Sequence, residues 1–205
     1  MDWPLRRTFE NRRIKVCEMT CEIINQMEGI FRKTYLELGY GDGRNFESIL
    51  CAEKQAVDIN GRADFNGTTD DFFEWIPNTQ RWNIIFIDAN HDYQAVLRDF
   101  NNSMRHATEW VILHDMIPPD ERHTARRFCS DGYKLLYRLL RETSNGVYPS
   151  DHNMGLTFVK AKWGRNIDLA DLPVELNYIG FIEFLKGVRL YSDHELIEIL
   201  NGRMA

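Results

Sequence analysis

The chain has 205 residues, of which 43% are hydrophobic and 12% aromatic, which excludes a disordered protein and allows a core without disulfides or metal. Its 25 Lys and Arg against 31 Asp and Glu give a net charge of -6, which argues against a nucleic-acid partner. No apolar run reaches the roughly 20 residues of a membrane span, and Met1–Arg13 lacks the apolar stretch of a secretory signal, so we expect a cytoplasmic protein without membrane contact.

The first half of the chain predicts helices that alternate with strands. Apolar residues recur at spacings of three and four over Glu10–Gly29, which predicts an amphipathic helix. The predicted elements that follow are a strand at Thr34–Leu38, a glycine-rich loop at Gly39–Gly43, a helix at Asn45–Ala52, a strand at Gln55–Ile59 and a helix at Thr69–Trp75.

The second half continues this alternation. The continuous apolar run at Trp82–Ile87 is typical of a strand buried on both faces of a parallel sheet. After it we predict a helix at Tyr93–Ala107, a strand at Trp110–Leu113, a mostly helical segment at Thr124–Glu142, a late strand at Gly155–Lys160, and tail helices at Tyr178–Leu185 and His194–Leu200. The alternation indicates an α/β protein with a mostly parallel sheet and helices on both faces.

Polar residues follow several of these strands directly. They are the glycine loop, Asp58, Asp88 and the pair His114–Asp115. Ligands of such sheets bind beyond the carboxyl ends of the strands, so we expect these groups to share one edge and to form the functional site.

The glycine loop has the pattern acid-Leu-Gly-x-Gly-x-Gly over Glu37–Gly43. Glycines allow a tight turn and close approach of a ligand to the backbone. A dinucleotide fingerprint needs two residues between its last two glycines, and this loop has one. The leading acid suits a cationic ligand better than a pyrophosphate, so a nicotinamide-dependent oxidoreductase on a Rossmann sheet is the alternative rather than the first hypothesis.

Two further segments carry a family resemblance. Phe86–Tyr93 is similar to the segment Phe-Ile-Asp-Gly-x-His-x-Tyr, with Ala89 in place of the glycine, and a later strand ends on His114–Asp115. Together with the loop, they resemble the class I S-adenosylmethionine-dependent methyltransferases, in particular the small O-methyltransferases of sugars and natural products. The resemblance implies a Rossmann-like three-layer sandwich with a late antiparallel strand, formed by residues 1–162, and a helical extension over residues 163–205.

The resemblance also implies a binding site for S-adenosylmethionine. In it, Glu37 lies near the methionine ammonium group, and Asp58 accepts hydrogen bonds from both ribose hydroxyls. The remaining residues of the implied cofactor site are Gly39, Tyr40, Gly41, Thr68, Thr69 and Asp88. Two simpler interpretations stay open, because Asp58 could only cap a turn and Thr68 or Thr69 could only be a helix N-cap.

His91 and Asp88 are the candidate catalytic residues. Transfer of a methyl group to a hydroxyl requires a base that removes the acceptor proton, and an imidazole three residues after Asp88 could supply it. The alternative is that His91 only hydrogen-bonds its loop or packs on the adenine.

Asp88, His114 and Asp115 form a candidate metal site. Relatives use acidic residues at these strand ends to hold magnesium, and a histidine favours manganese over magnesium. The alternative is that Asp88 holds the loop and Asp115 pairs with a nearby cation, without metal.

The predicted function is O-methylation of a small acceptor, with a sugar or glycan as the first expectation. His152 in the segment Tyr148–Asn153 is a further candidate for acceptor contact, and the basic run Glu121–Arg127 could meet an anionic acceptor or be a solvated helix face. A non-catalytic module that keeps the cofactor fold is another alternative. The tail could cover the site, pack on the sheet or form a homodimer contact.

Overall fold

The computed structural model describes residues 16–143, 145–161 and 169–204. The predicted first helix is present as α1, Val16–Asn25, and its expected start at residues 10–15 lies outside the described residues. The same holds for the proposed boundary between core and extension at residues 162–163.

Seven strands form one sheet in the order β3-β2-β1-β4-β5-β7-β6. The strands are β1 Thr34–Leu38, β2 Glu53–Asp58, β3 Phe65–Asn66, β4 Trp82–Ile87, β5 Ala107–Leu113, β6 Val147–Ser150 and β7 Leu156–Lys160. Strands β1 to β5 pair in parallel, whereas β7 runs antiparallel to both of its neighbours. This confirms the predicted α/β fold with its late antiparallel strand.

Six further helices complete the described fold. They are α2 Arg44–Ser48, α3 Thr69–Trp75, α4 Tyr93–His106, α5 Tyr133–Glu142, α6 Tyr178–Leu185 and α7 Asp193–Leu200. The predicted helix at Asn45–Ala52 is too long, because Ile49 has an extended backbone and the chain soon enters β2. The mostly helical segment predicted over Thr124–Glu142 is an α-helix only from Tyr133 onward. A short 3-10 turn ends at Thr124, and Ser130 has a φ of 48°, which interrupts a helix.

Side chains of the sheet alternate between two apolar cores. Along β4, Ile85 and Ile87 belong to the core under α3, α4, α5 and α6, whereas Ile84 and Phe86 belong to the core under α1, α2 and α7. This alternation is the two-residue period of a strand, and it explains why the run Trp82–Ile87 is apolar throughout.

The described part of the tail packs on both cores. Phe181 of α6 belongs to the first core and Leu196 of α7 to the second. Between the two helices, the backbone N–H of Tyr191 donates to the carbonyl of Pro149 in β6, at 2.8 Å. The tail therefore passes round the β6 edge of the sheet, which is the second of its three interpretations.

Among the described residues, no helix combines the length and the apolar character that crossing a membrane requires.

Candidate active site

The candidate site lies where β1 and β4 end side by side. Strand β1 pairs with β2 on one side and with β4 on the other. The connection after β1 therefore leads toward one edge of the sheet, and the connection after β4 leads toward the other edge. This is the position at which open α/β sheets form a ligand crevice.

Gly39 is required by the contact between the loop after β1 and the end of β4. A Cβ atom at Gly39 would lie 2.1 Å from the carbonyl oxygen of Asp88, and the residue has a φ of 97°. Gly41 also has a positive φ, 55°, but a Cβ atom there would meet no described residue within 4 Å. Gly39 thus packs the two strand ends together, while Gly41 leaves open space above the loop.

Asp58 ties the end of β2 to this loop. Its Oδ2 accepts a hydrogen bond from the N–H of Gly41 at 2.9 Å, and its Oδ1 accepts one from the N–H of Asn60 at 2.9 Å. A carboxylate has about four acceptor positions, so Asp58 keeps capacity for further donors. The side chain of Tyr40 packs near Phe46, with ring centroids 5.6 Å apart, so Tyr40 contributes mainly its backbone to the crevice.

Glu37 is a buried acid beneath the loop, with 2% of its surface exposed. Its Oε2 accepts hydrogen bonds from the hydroxyl of Tyr35 at 2.5 Å and from Nδ2 of Asn45 at 2.8 Å. Burial raises the pKa of Glu37 to about 8, although these two hydrogen bonds oppose the shift. The amide oxygen Oδ1 of Asn45 is buried and has no hydrogen-bond partner among the described residues.

Thr68 and Thr69 are held by hydrogen bonds at the start of α3. The hydroxyl of Thr68 accepts from the N–H of Asp71 at 3.1 Å, and the carboxylate of Asp71 accepts from the N–H of Thr68 at 3.3 Å, which is a capping box. The hydroxyl of Thr69 donates to the buried Asp99 of α4. The geometry therefore gives both threonines a structural role, and their contact with an adenine stays a prediction.

Four side chains meet at the ends of β4 and β5. Oδ1 of Asp88 lies 3.0 Å from Nε2 of His91 and 3.1 Å from Nδ1 of His114. Asp115 contacts the same two imidazoles, with Oδ2 at 3.5 Å from His91 and Oδ1 at 3.2 Å from His114. The structure thus brings together the predicted catalytic pair and the predicted metal ligands.

The mutual charges of this cluster shift its pKa values. Burial alone would raise the pKa of Asp88, but the charges and hydrogen bonds of His114 and His91 outweigh it and hold the pKa well below its usual range. Burial alone would lower the pKa of His114, yet the charges of Asp88 and Asp115 raise it to about 10. Burial raises the pKa of Asp115, although the charges of His114 and His91 oppose the shift.

His91 is oriented by the loop that follows β5. Its Nδ1 lies 2.8 Å from the carbonyl oxygen of Phe128. A carbonyl only accepts, so Nδ1 carries a proton and Nε2 is the nitrogen that can exchange one. Burial lowers the pKa of His91, but the hydrogen bond of Asp88 and the charge of Asp115 give a net increase.

The donor set also fits a divalent cation. Ligand atoms of Asp88, His114 and Asp115 all lie within 4.8 Å of one another. Oδ1 of Asp115 is buried and, within the described ranges, has no hydrogen-bond partner, although Nδ1 of His114 lies 3.2 Å from it. Asp115 also has a φ of 60°, a conformation that costs energy and is concentrated at functional sites.

Other residues singled out in the sequence lie around this centre. His152 is buried in the turn between β6 and β7, with Nδ1 3.0 Å from Asp193 of the tail. In the basic run, Arg126 pairs with Asp92 at 2.8 Å, and the guanidinium of Arg127 lies over the ring of Phe128. The run is mostly exposed, as the solvated-face interpretation expects, but it is helical only as a 3-10 turn over Glu121–Thr124.

Sequence reasoning missed two participants, Asn45 and Phe128. Phe128 acts through its backbone carbonyl, which any residue would supply, so the sequence contains no signal for it. Asn45 comes two residues after the glycine loop, and a polar side chain at that place was the available signal.

The comparisons with known proteins concern the fold. No protein-family model matches the chain, and no curated protein matches it. A solved structure described as an O-methyltransferase from Klebsiella pneumoniae is similar with a TM-score of 0.51 and 14% identity, covering 78% of this chain and 91% of that one. A structure described as a caffeoyl-CoA O-methyltransferase from Staphylococcus aureus has a TM-score of 0.51 and 13% identity, covering 78% of this chain and 93% of that one.

A third structure, described as a methyltransferase complexed with S-adenosylhomocysteine, has a TM-score of 0.50 and 9% identity and covers 71% of this chain and 49% of that one. At these identities the likeness shows the fold. The fold that the sequence resemblance implied is therefore confirmed, and the chain has the fold of the class I methyltransferases.

Proposed function

We propose that the protein is an S-adenosylmethionine-dependent O-methyltransferase that moves a methyl group to a hydroxyl of a small acceptor. One observation carries this proposal. Acceptor groups flank the glycine loop at both ends, with Glu37 and the unpartnered Oδ1 of Asn45 on one side and Asp58 on the other. A ligand with an ammonium group at one end and a ribose diol at the other matches this pattern.

The chain's own residues divide the binding between them. The backbone from Gly39 to Gly41 gives close access, because Gly41 has open space where a side chain would stand. Asp58 accepts hydrogen bonds from the ribose hydroxyls. Glu37 balances the charge of the ammonium group. The bound cofactor supplies a methyl group on a cationic sulfur, for in-line transfer to an oxygen.

His91 is the proposed general base. Its Nδ1–H is held by the carbonyl of Phe128, so Nε2 takes the acceptor's proton. Asp88 contacts Nε2 at 3.0 Å and stabilises the imidazolium that forms. This assignment fits the position of His91 beside the crevice at the end of β4.

A divalent cation on Asp88, His114 and Asp115 is the proposed second component. The cation would lower the pKa of an acceptor hydroxyl and orient neighbouring hydroxyls. An imidazole in the ligand set favours manganese over magnesium. Binding requires the loss of the proton on Nδ1 of His114, because a metal ligand must present a free electron pair.

The acceptor is proposed to be a sugar or glycan with adjacent hydroxyls. A cluster of carboxylates and imidazoles suits hydroxyl groups that must be hydrogen-bonded and deprotonated. A phenolic acceptor, as in the name of the Staphylococcus aureus structure, is the second candidate, since vicinal phenolic hydroxyls would meet the same groups.

Calorimetry and a methyl-transfer assay test the proposal. S-adenosylmethionine should bind, and labelled methyl should pass to one class of hydroxylated acceptor. No binding at millimolar cofactor would overturn the assignment in favour of a nicotinamide enzyme or another ligand. Binding without turnover on any acceptor would instead support a non-catalytic module.

A further inference from the structure

A small polar network lies beneath the glycine loop. Tyr35 of β1 and Asn45 of α2 both donate to Oε2 of Glu37, at 2.5 Å and 2.8 Å. Tyr35 is fully buried and Glu37 is 2% exposed. Within the described part of the chain, the hydrogen-bond partners of this carboxyl are neutral side chains.

Such a carboxyl is costly to ionise, since a buried charge needs a counter-charge. The charged groups that act on it are Asp88, which follows β4 and disfavours ionisation, and His114, which follows β5 and favours it. Tyr35 is itself a weak acid whose pKa burial raises further, so it stays protonated and donates. Glu37 with a raised pKa thus keeps its proton near neutral pH.

The orientation of Asn45 follows from the same network. Its Nδ2 group lies 3.1 Å from the hydroxyl oxygen of Tyr35 and 2.8 Å from Glu37. Because Oε2 of Glu37 already accepts from the hydroxyl of Tyr35, the proton of the neutral carboxyl lies on Oε1. A flipped amide would then place Oδ1 of Asn45 against an accepting oxygen, so Oδ1 points away from Glu37. In the part of the chain that the structure describes, Oδ1 is then a buried acceptor without a hydrogen bond. Such an acceptor is stabilised when a donor binds to it.

We propose that Asn45 is a further cofactor-binding residue and that Glu37 and Asn45 together bind the ammonium group of the amino-acid end, with release of the Glu37 proton to solvent. The inference rests on the proposed function and adds Asn45 and the proton to it. The O–H bond of Glu37 breaks, its proton passes to the buffer, and the carboxylate remains paired with the ammonium group. The ammonium group keeps its protons and donates to Glu37 and to Oδ1 of Asn45.

Proton release is measured by titrating the protein with S-adenosylhomocysteine in buffers of different ionisation enthalpy. At about pH 6.5, the dependence of the observed enthalpy on the buffer should correspond to nearly one proton released per ligand bound. 5′-Methylthioadenosine, which has the nucleoside but no amino-acid end, should bind without release. Equal release with both ligands, or none with either bound, would overturn the inference.

Three variants test whether the released proton comes from Glu37 and whether Asn45 accepts a hydrogen bond from the ligand. Glu37→Gln should abolish release. Asn45→Ala should weaken the binding of S-adenosylhomocysteine by about tenfold or more, which is the effect of losing a hydrogen bond to a charged group. The affinity for 5′-methylthioadenosine should change by less than about twofold. Tyr35→Phe, the matched control, removes a donor but leaves the carboxyl, so release should persist.

The outcomes separate the two claims. If neither ligand binds the unmodified protein, the proposed function fails and the inference fails with it. If both bind but Glu37→Gln releases as many protons as the unmodified protein, only the inference fails. Should a variant not fold, the two ligands on the unmodified chain still decide whether a proton leaves.

Discussion

Nε2 of His91 lies 3.0 Å from Oδ1 of Asp88, and the same carboxylate oxygen lies 3.1 Å from Nδ1 of His114. One oxygen of Asp88 therefore connects the proposed base with a proposed metal ligand. Since Nδ1 of His91 is committed to the Phe128 carbonyl, the proton that His91 exchanges sits between the ring and Asp88. Catalysis and metal binding are expected to depend on one another at this oxygen.

Replacement of His91 by alanine is expected to lower kcat by about 10² to 10⁴, the usual contribution of a general base. The affinity for S-adenosylmethionine should change by less than about twofold, because His91 acts on the acceptor. Steady-state kinetics together with calorimetry of cofactor binding separate the two effects. His194→Ala, an exposed histidine on α7, is the control and should keep full turnover. Full turnover of His91→Ala would remove the assignment as base.

Removal of the proposed metal ligand Asp115 tests the metal site directly. Asp115→Asn should weaken binding of Mn²⁺ by about tenfold or more, because an amide oxygen lacks the charge of a carboxylate. Titration with Mn²⁺ followed by electron paramagnetic resonance gives the affinity without any activity assay. Chelation should also reduce turnover of the unmodified protein, with Mn²⁺ restoring it better than Mg²⁺.

Asp120→Asn is the matched control for this experiment. Asp120 is an exposed acid that pairs with His123 at 2.8 Å, on the loop after the cluster, and its loss should leave Mn²⁺ binding intact. A protein that turns over fully after chelation, with no metal found by elemental analysis, would contradict the metal assignment.

Local signals predicted some elements to the residue. The bounds of β1, α3, β4 and α6 match the sequence prediction, because each depends on a continuous apolar run or on a capping residue directly before the element. Strand β6 was missed, since it contains Pro149 and lies at the edge of the sheet. Proline is tolerated at an edge, but only the pairing with β7, which is not local, reveals the strand.

In the candidate site, too, local sequence predicted the positions of the residues but not the contacts that depend on distant segments. The strand-end rule placed Asp58, Asp88 and His114–Asp115 along one edge, and the structure brings Asp88, His91, His114 and Asp115 into contact. The sequence could not show that both ring nitrogens of His91 face acceptors. That fact depends on how the loop through Phe128 folds over the end of β4.

Alanine at Gly39 is expected to destabilise the fold by about 3 kcal/mol or more, since its Cβ atom would lie 2.1 Å from the carbonyl oxygen of Asp88. Alanine at Gly41 meets open space and should cost only about 1 kcal/mol for its positive φ. Urea denaturation compares the two variants. If both lose the same stability, the packing role of Gly39 is refuted.

Tail residue Phe181 is expected to contribute to the stability of the whole fold. Its side chain is fully buried and its ring centroid lies 4.8 Å from that of Tyr133 in α5. Phe181→Ala should cost about 3 to 5 kcal/mol. Ile179→Ala on the same helix, where the residue is 65% exposed, should change stability by less than about 0.5 kcal/mol. Equal thermal midpoints of the two variants would show that the tail is dispensable for the fold.

Asp99 should make the folded protein less stable as the pH rises. Burial raises the pKa of this carboxyl to about 7, and the hydrogen bond from Thr69 only partly opposes the shift. Between about pH 4 and 7 the folded state holds a proton that the unfolded chain has lost, so the free energy of unfolding falls by up to about 1.4 kcal/mol per pH unit. Above about pH 7 both states have lost the proton, and the penalty becomes constant.

Asp99→Asn removes this titration while it keeps the shape of the side chain. Urea denaturation should show the variant more stable than the unmodified protein at about pH 8, with no advantage at about pH 4. Asp70→Asn, at a half-exposed neighbour that pairs with Arg98 at 3.3 Å, is the control and should shift stability by less than about 0.5 kcal/mol at either pH. A parallel pH dependence in Asp99→Asn and the unmodified protein would place the titrating group elsewhere.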